Sequence, residues 1–133
     1  MGDLLKFSVP GKAEYVCVIR RAISSLASCA AFDIDSIEDI KVAVSEACMN
    51  VVRHGSAEDN CYDVECVVEK DKIIIFVSDC CGGYSVSSYQ EPYLDEPKER
   101  GLGIFIIKAL MDEVDICSVI GEGTKIKMVK YIV

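Results

Sequence analysis

A chain of 133 residues is long enough to bury a real core and is the length of one domain rather than several. Hydrophobic residues make up 51% and charged residues 27%, the usual balance of a globular protein, and no apolar run reaches the roughly 18 to 20 residues a membrane span needs. The 22 acidic and 14 basic residues leave a net charge of −8, which argues against sequence-independent nucleic-acid binding and suits a protein partner with a basic face.

The first residues, MGDLLKFSVPGKAEY, lack a basic stretch followed by an apolar one, so no signal peptide is expected. Lys6 stands where a myristoylation pattern needs Ser or Thr. The expected location is the cytoplasm, with no membrane partner. The eight cysteines are Cys17, Cys29, Cys48, Cys61, Cys66, Cys80, Cys81 and Cys117. Several fall at apolar positions of periodic segments, so all are expected to act as small buried hydrophobes in a reducing compartment. Cys80-Cys81 has neither CxxC spacing nor a neighbouring His, which argues against a zinc site.

In chain order, Leu4 to Pro10 alternates Leu5, Phe7 and Val9 with polar positions and reads as a short half-buried strand ended by Pro10-Gly11. Lys12 to Phe32 carries apolar residues at 16, 19, 23, 26, 27 and 30, a long helix. Asp33 to Asp35 breaks it, and Asp35 or Ser36 is the expected N-cap of the next helix. That helix buries Ile37, Ile40, Val44, Ala47 and Val51, with Gly55 placed to end it. Ser56 to Asn60 reads as a polar turn.

Cys61 to Glu69 and Lys72 to Asp79 form an expected hairpin across Lys70-Asp71, the second strand central in its sheet because it is rich in Ile and Val. Cys80 to Arg100 shows no sustained period and reads as a lid or binding loop. Gly101 to Asp112 is a glycine-led helix, and Val114 to Ile120 and Lys125 to Val133 are closing strands joined through Gly121-Glu122-Gly123. The order β, α, α, β, β, lid, α, β, β predicts a single domain of α+β class: a two-layer sandwich with a mixed, mostly antiparallel sheet and its helices on one face.

Three stretches carry chemistry. Glu46, Asn50 and Arg53 recur at i, i+4 and i+7 on a stripe separate from the apolar one. Alone, that stripe reads first as a solvated face; the alternative is a cavity lining, where carboxylate and carboxamide oxygens would hold a water or a hard cation. Asp79 ends an apolar strand and is followed by Gly82-Gly83, so a carboxylate meets backbone that a ligand can approach closely. Arg100-Gly101-Leu102-Gly103 opens a helix whose N–H groups suit phosphate. Neither a P-loop nor a full dinucleotide fingerprint is present.

Taken in order, Glu46-x-x-x-Asn50, Asp79 with its glycines, the lid, Gly101-Leu102-Gly103 and Gly123-Thr124 resemble the GHKL ATPase family, built on the Bergerat fold. More narrowly, VSEACMNVVRHG and GLGIFIIKALMDEVDI resemble the anti-sigma-factor serine kinases of the RsbW type, and the likeness covers nearly the whole chain. It implies ATP and Mg²⁺ as cofactors. Glu46 would orient or deprotonate the attacking hydroxyl, and Asn50 would ligate Mg²⁺. Asp79 would receive the adenine amine, with Gly83 closing the first glycine box. Gly101, Leu102 and Gly103 would meet the phosphates, and Thr124 would lie near adenine. Arg53, Arg100 and, more weakly, Lys98 would neutralise phosphate charge. His54 fits the family pattern but fits a helix-terminal structural role equally. One departure stands out: Cys81 replaces the usual first glycine.

The resemblance implies an anti-sigma factor that phosphorylates a serine or threonine of an anti-anti-sigma (STAS) protein and sequesters an RNA polymerase sigma factor, acting as a homodimer with no direct nucleic-acid contact. The alternative is a nucleotide-binding anti-sigma or protein-interaction module without phosphotransfer.

Overall fold

The computed structural model describes residues 2–54, 61–79, 97–119 and 123–132. β1 (Asp3–Pro10) leads through a 3₁₀ turn (Ala13–Tyr15) into α1 (Val16–Cys29), then α2 (Ile34–His54). β2 (Cys61–Val68) and β3 (Lys72–Ser78) follow, then α3 (Pro97–Leu110), β4 (Glu113–Val119) and β5 (Gly123–Tyr131). Among the described residues, the order and type of the main helices and strands match the sequence reading.

The strands form one sheet in the order β1-β2-β3-β5-β4. Every pairing is antiparallel, which refines the expected mixed sheet. α3 carries the chain across the sheet so that β4 runs in the direction of β3, but β5 inserts between them and faces both in the antiparallel sense. β3 is central, as its Ile- and Val-rich sequence demands.

Alternation along the strands supplies the inner face. Tyr62, Val64 and Cys66 of β2, Ile73, Ile75 and Val77 of β3, and Ile126 and Met128 of β5 are buried. Against them pack the apolar stripes of α1 (Val16, Ile19, Ile23, Ala27) and α2 (Ile40, Ala43, Val44, Ala47, Cys48, Val51). Ile107 and Met111 bring α3 and its end into the same core. Each such aliphatic contributes about 1.5–3 kcal/mol by leaving water.

Three boundaries differ from the sequence reading. The long first helix is shortened to α1, and its end is a left-handed turn at Ala31 (φ 69°), with Ala31 N–H donating to Ser28 O and Phe32 N–H to Ala27 O. α2 is capped by Asp33, not Asp35 or Ser36: Asp33 Oδ1 accepts the Ser36 N–H at 2.7 Å, and that bond holds the carboxyl below its ordinary pKa. α3 begins at Pro97 rather than Gly101, because proline suits the first helical position, where no N–H is needed. So 97–100, expected in the lid, are helical; the rest of the lid, Gly55, the 56–60 turn and Gly121-Glu122 lie outside the described residues.

The cysteine reading also needs correction. Cys48 and Cys66 are fully buried, and burial pushes both thiols up to about 12, as expected of core residues. Cys29 and Cys117 are exposed, and Cys61 is disulfide-bonded. A strand or helix position near an element's end does not guarantee burial, which periodicity alone cannot reveal.

Candidate functional site

α2 is the floor of the site. Its buried stripe faces the sheet, where it packs on β3 and β5, and this turns the next stripe sideways toward α3. Glu46 and Asn50, one turn apart on that stripe, are half-buried, and Arg53 beyond them is exposed. A half-buried carboxylate keeps solvent contact while being held in place by the packing around it.

α3 supplies the wall. Gly103 is buried, and a Cβ at that position would lie 3.3 Å from Glu46 Oε1. Glycine therefore lets the α3 backbone approach the carboxylate more closely than any side chain would allow comfortably. With the helix starting at Pro97, Gly101 and Gly103 lie in its second turn rather than at its first N–H groups. Arg100 and Lys98 lie in the first turn of α3. Leu102 is exposed, as is Phe105 on the same helix.

The sheet supplies the other end. Asp79 directly follows β3 and is buried at 5% exposure, and among the described residues it is the only charged one that is buried. Its backbone N–H donates to Thr124 O at 2.8 Å, which ties the end of β3 to the start of β5. Two residues singled out separately in the sequence, Asp79 and half-buried Thr124, are thus neighbours.

Sequence reasoning missed one feature. A cleft of about 330 Å³ lies between α1 and α2, lined by Arg20, Glu38, Lys41, Val42, Ser45 and Glu46. Lys41 is paired with Glu38 at 3.0 Å, and Ser45 Oγ donates to Lys41 O at 2.8 Å, so the α2 wall is internally bonded. The signal was available: Glu38, Val42 and Glu46 recur every fourth residue, but only the position of α1 shows that they line a cleft. The cleft leaves Glu46 reachable from the α1 side.

Gly83 and the rest of the first glycine box lie outside the described residues, and His54 is the last residue of α2. Among the described residues no cluster of three or more His, Cys, Asp or Glu has the geometry of a metal centre. Among the described residues, no helix is long and apolar enough to cross a membrane.

The fold is a two-layer α+β sandwich with an acid and an amide on α2, a glycine of α3 against the acid, and a buried aspartate at the end of β3. Residues 9–130 match the histidine kinase-like ATPase domain, and the chain belongs to that family. It is 36% identical to the serine-protein kinase RsbW of Bacillus pumilus (strain SAFR-032), a match spanning 98% of this chain and 86% of the relative. It is 35% identical to the protein of the same name from Bacillus subtilis (strain 168), again across 98% and 86%. For the Staphylococcus aureus (strain JH9) protein the identity is 38%, across 98% of this chain and 87% of the relative. The fold is shared with a crystal structure of the RsbU and RsbW domains of Rv1364c from Mycobacterium tuberculosis, at a TM-score of 0.72 and 19% identity, covering 96% of this chain and 32% of that one.

Proposed function

We propose that the chain is a serine-protein kinase of the RsbW type, a single-domain anti-sigma factor that transfers the γ-phosphoryl group of ATP to a serine or threonine hydroxyl of an anti-anti-sigma protein. The observation that carries this reading is the likeness over 98% of the chain to relatives named serine-protein kinase RsbW, on a fold that sets Glu46 against Gly103 and Asp79 beside Thr124.

The residues present fit ATP and Mg²⁺. The buried Asp79 carboxylate offers an acceptor of the kind an adenine amine needs. The Asn50 carboxamide oxygen is a hard donor suited to Mg²⁺. Gly103 removes the side chain that would crowd Glu46, the space a nucleophile and a phosphoryl group must share. When bound, Mg²⁺ neutralises phosphate charge and orients the phosphates.

In the transfer, the acceptor hydroxyl approaches Glu46, which the α1–α2 cleft leaves accessible. Glu46 orients the O–H and takes its proton as the oxygen bonds to the γ-phosphorus, and the bond to the β-phosphate oxygen breaks to leave ADP. Asp79 fixes the nucleotide's far end, so the reacting groups meet in one geometry. Arg53 and Arg100 add positive charge for the phosphates.

The net charge of −8 supports a sigma factor as the sequestered partner, because DNA-binding proteins carry basic faces. β1 is an edge strand with Leu4 exposed, a surface that supports pairing of two copies. The deciding experiment is transfer of label from ATP to the candidate antagonist. Wild-type chain phosphorylates it on serine or threonine and Glu46→Gln loses the transfer; an unchanged rate in Glu46→Gln would overturn the assignment.

A further inference from the structure

Alternation along β5 turns Ile126, Met128 and Lys130 toward the helices. The first two are buried, and the Lys130 side chain is only 14% exposed. A lysine so enclosed is costly unless its ammonium is bonded. Lys130 Nζ donates to Leu110 O at 2.6 Å and pairs with Asp39 Oδ2 at 3.5 Å. Leu110 is the last residue of α3, where the final carbonyls have no partner within the helix and a cation is favoured. Asp39 lies on α2. One ammonium thus holds two helices.

We infer that Lys130 is a positioning residue: its ammonium sets the spacing of α2 and α3 where Gly103 meets Glu46, and through that spacing the rate of phosphoryl transfer. The link to transfer rests on the kinase reading of Glu46. The two helices carry matching intervals. Glu46 lies seven residues after Asp39 on α2, and Gly103 lies seven residues before Leu110 on α3. Seven residues make two turns, about 10 Å, and return each helix to the same face. The Lys130 bridge and the Glu46–Gly103 approach are therefore the two ends of one antiparallel helix pair.

The bridge does more than cap α3. Asp112 N–H donates to Val129 O at 2.9 Å, and Tyr131 N–H donates to Asp112 Oδ2 at 2.7 Å, so the end of α3 keeps its place on β5 without the lysine. What Lys130 adds is a directional tie from that place to α2. At the other end of the pair Gly103 has no side chain to act as a spacer against Glu46. The separation there is set by the bridge and by the packing between, where Ile107 is buried.

The test uses the full chain. Lys130→Met keeps length and loses charge and donors, and Lys130→Arg keeps both. Asp39→Asn, at a partly exposed position, weakens only the tie to α2. Transfer of label from ATP gives kcat and KM, and thermal unfolding is run on each variant with and without Gly103→Ala. Lys130→Met should lower kcat by about tenfold or more while KM for ATP stays within about twofold, because Asp79 and Thr124 lie at the other end of β5. Lys130→Arg should restore most of kcat, and Asp39→Asn should lower it by about threefold or more. Gly103→Ala should raise the thermal midpoint by about 3 °C more in the Lys130→Met and Asp39→Asn chains than in wild type, since an untied helix yields to the new methyl group, whereas independent sites add. Where Lys130→Met does not fold, Asp39→Asn alone decides. Unchanged kcat with additive midpoints overturns the inference and leaves the kinase reading intact. A kcat loss that Lys130→Arg does not restore, with additive midpoints, also overturns it. No transfer by the wild-type chain, with non-additive midpoints, overturns the kinase reading while the bridge stands.

Discussion

A side chain on Gly103 would begin 3.3 Å from Glu46 Oε1. That separation is tighter than ordinary van der Waals contact, so either Glu46 or α3 must shift by a few tenths of an ångström to admit a methyl group. Gly103 sits in the interior of α3, where replacing glycine with alanine favours the helix by up to about 1 kcal/mol. Gly103→Ala should therefore keep or slightly raise the thermal midpoint while lowering phosphoryl transfer by about tenfold or more, since a displacement under 1 Å at the proposed catalytic carboxylate is costly. Thermal unfolding and the labelled-ATP assay read the two effects separately. A loss of stability with full activity would mean that Glu46 is not held against α3 in the working protein.

On the proposed reading, Asp79 carries the nucleotide's identity. An acceptor-only carboxylate matches the exocyclic amine of adenine and opposes the carbonyl oxygen that guanine presents at the same place. Asp79→Asn offers a donor as well, so ATP affinity should fall by about 10- to 100-fold and the preference for ATP over GTP should narrow. Calorimetric titration with both nucleotides checks this. Equal loss for ATP and GTP would assign Asp79 to the fold rather than to the base.

Much of this was legible in the residues because two periods dominate the chain. The stripe Ile40, Val44, Ala47, Val51 and the alternation of β2 and β3 are the buried sets found in the structure. The pairing of Asp79 with Thr124 was not legible, since they lie on strands that only the insertion of β5 beside β3 makes neighbours. Helix starts were misread where a proline or aspartate set the boundary before the apolar period began, as at Pro97 and Asp33. The disulfide at Cys61 escaped because all the cysteines were read as buried hydrophobes, whereas Cys61 falls on the opposite strand face from buried Cys66.

The end of α1 carries removable strain. Ala31 adopts φ 69° and is exposed, so its Cβ meets the penalty of the left-handed region while contributing no packing. The two bonds that close the turn, Ala31 N–H to Ser28 O and Phe32 N–H to Ala27 O, use backbone alone. Ala31→Gly should raise stability by about 1 kcal/mol in urea unfolding, with kinase activity unchanged. A destabilised variant would show that the turn is not left-handed in solution.

Tyr62 is fully buried, and its hydroxyl lies beside the Cys48 thiol without a hydrogen bond of normal geometry. Burial, with the neighbouring Cys48 adding to it, raises the phenol's pKa, so the group stays neutral. An unsatisfied buried hydroxyl opposes folding, and Tyr62→Phe removes it at the expense of a small void. The variant should gain up to about 1 kcal/mol of stability, a shift of a few degrees in thermal midpoint. A loss of stability would show that Oη is bonded in the native core.

Asp33 gives the fold an acid-sensitive helix start. The Ser36 backbone N–H, donated to Asp33 Oδ1 at 2.7 Å, is the main cause of its lowered pKa, with the Ser36 side chain adding to it. A carboxyl whose folded pKa lies below its unfolded value stabilises the native state above the unfolded value, and that contribution disappears as pH falls through the folded one. Asp33→Asn keeps an oxygen acceptor at the cap but cannot ionise. Wild type should therefore exceed Asp33→Asn in stability near neutral pH, and the gap should close as the pH is lowered past the ordinary carboxylate range. Urea unfolding of both chains between neutral and strongly acidic pH measures the gap directly. A gap that stays constant on acidification would show that the charge on Asp33 contributes nothing to the cap.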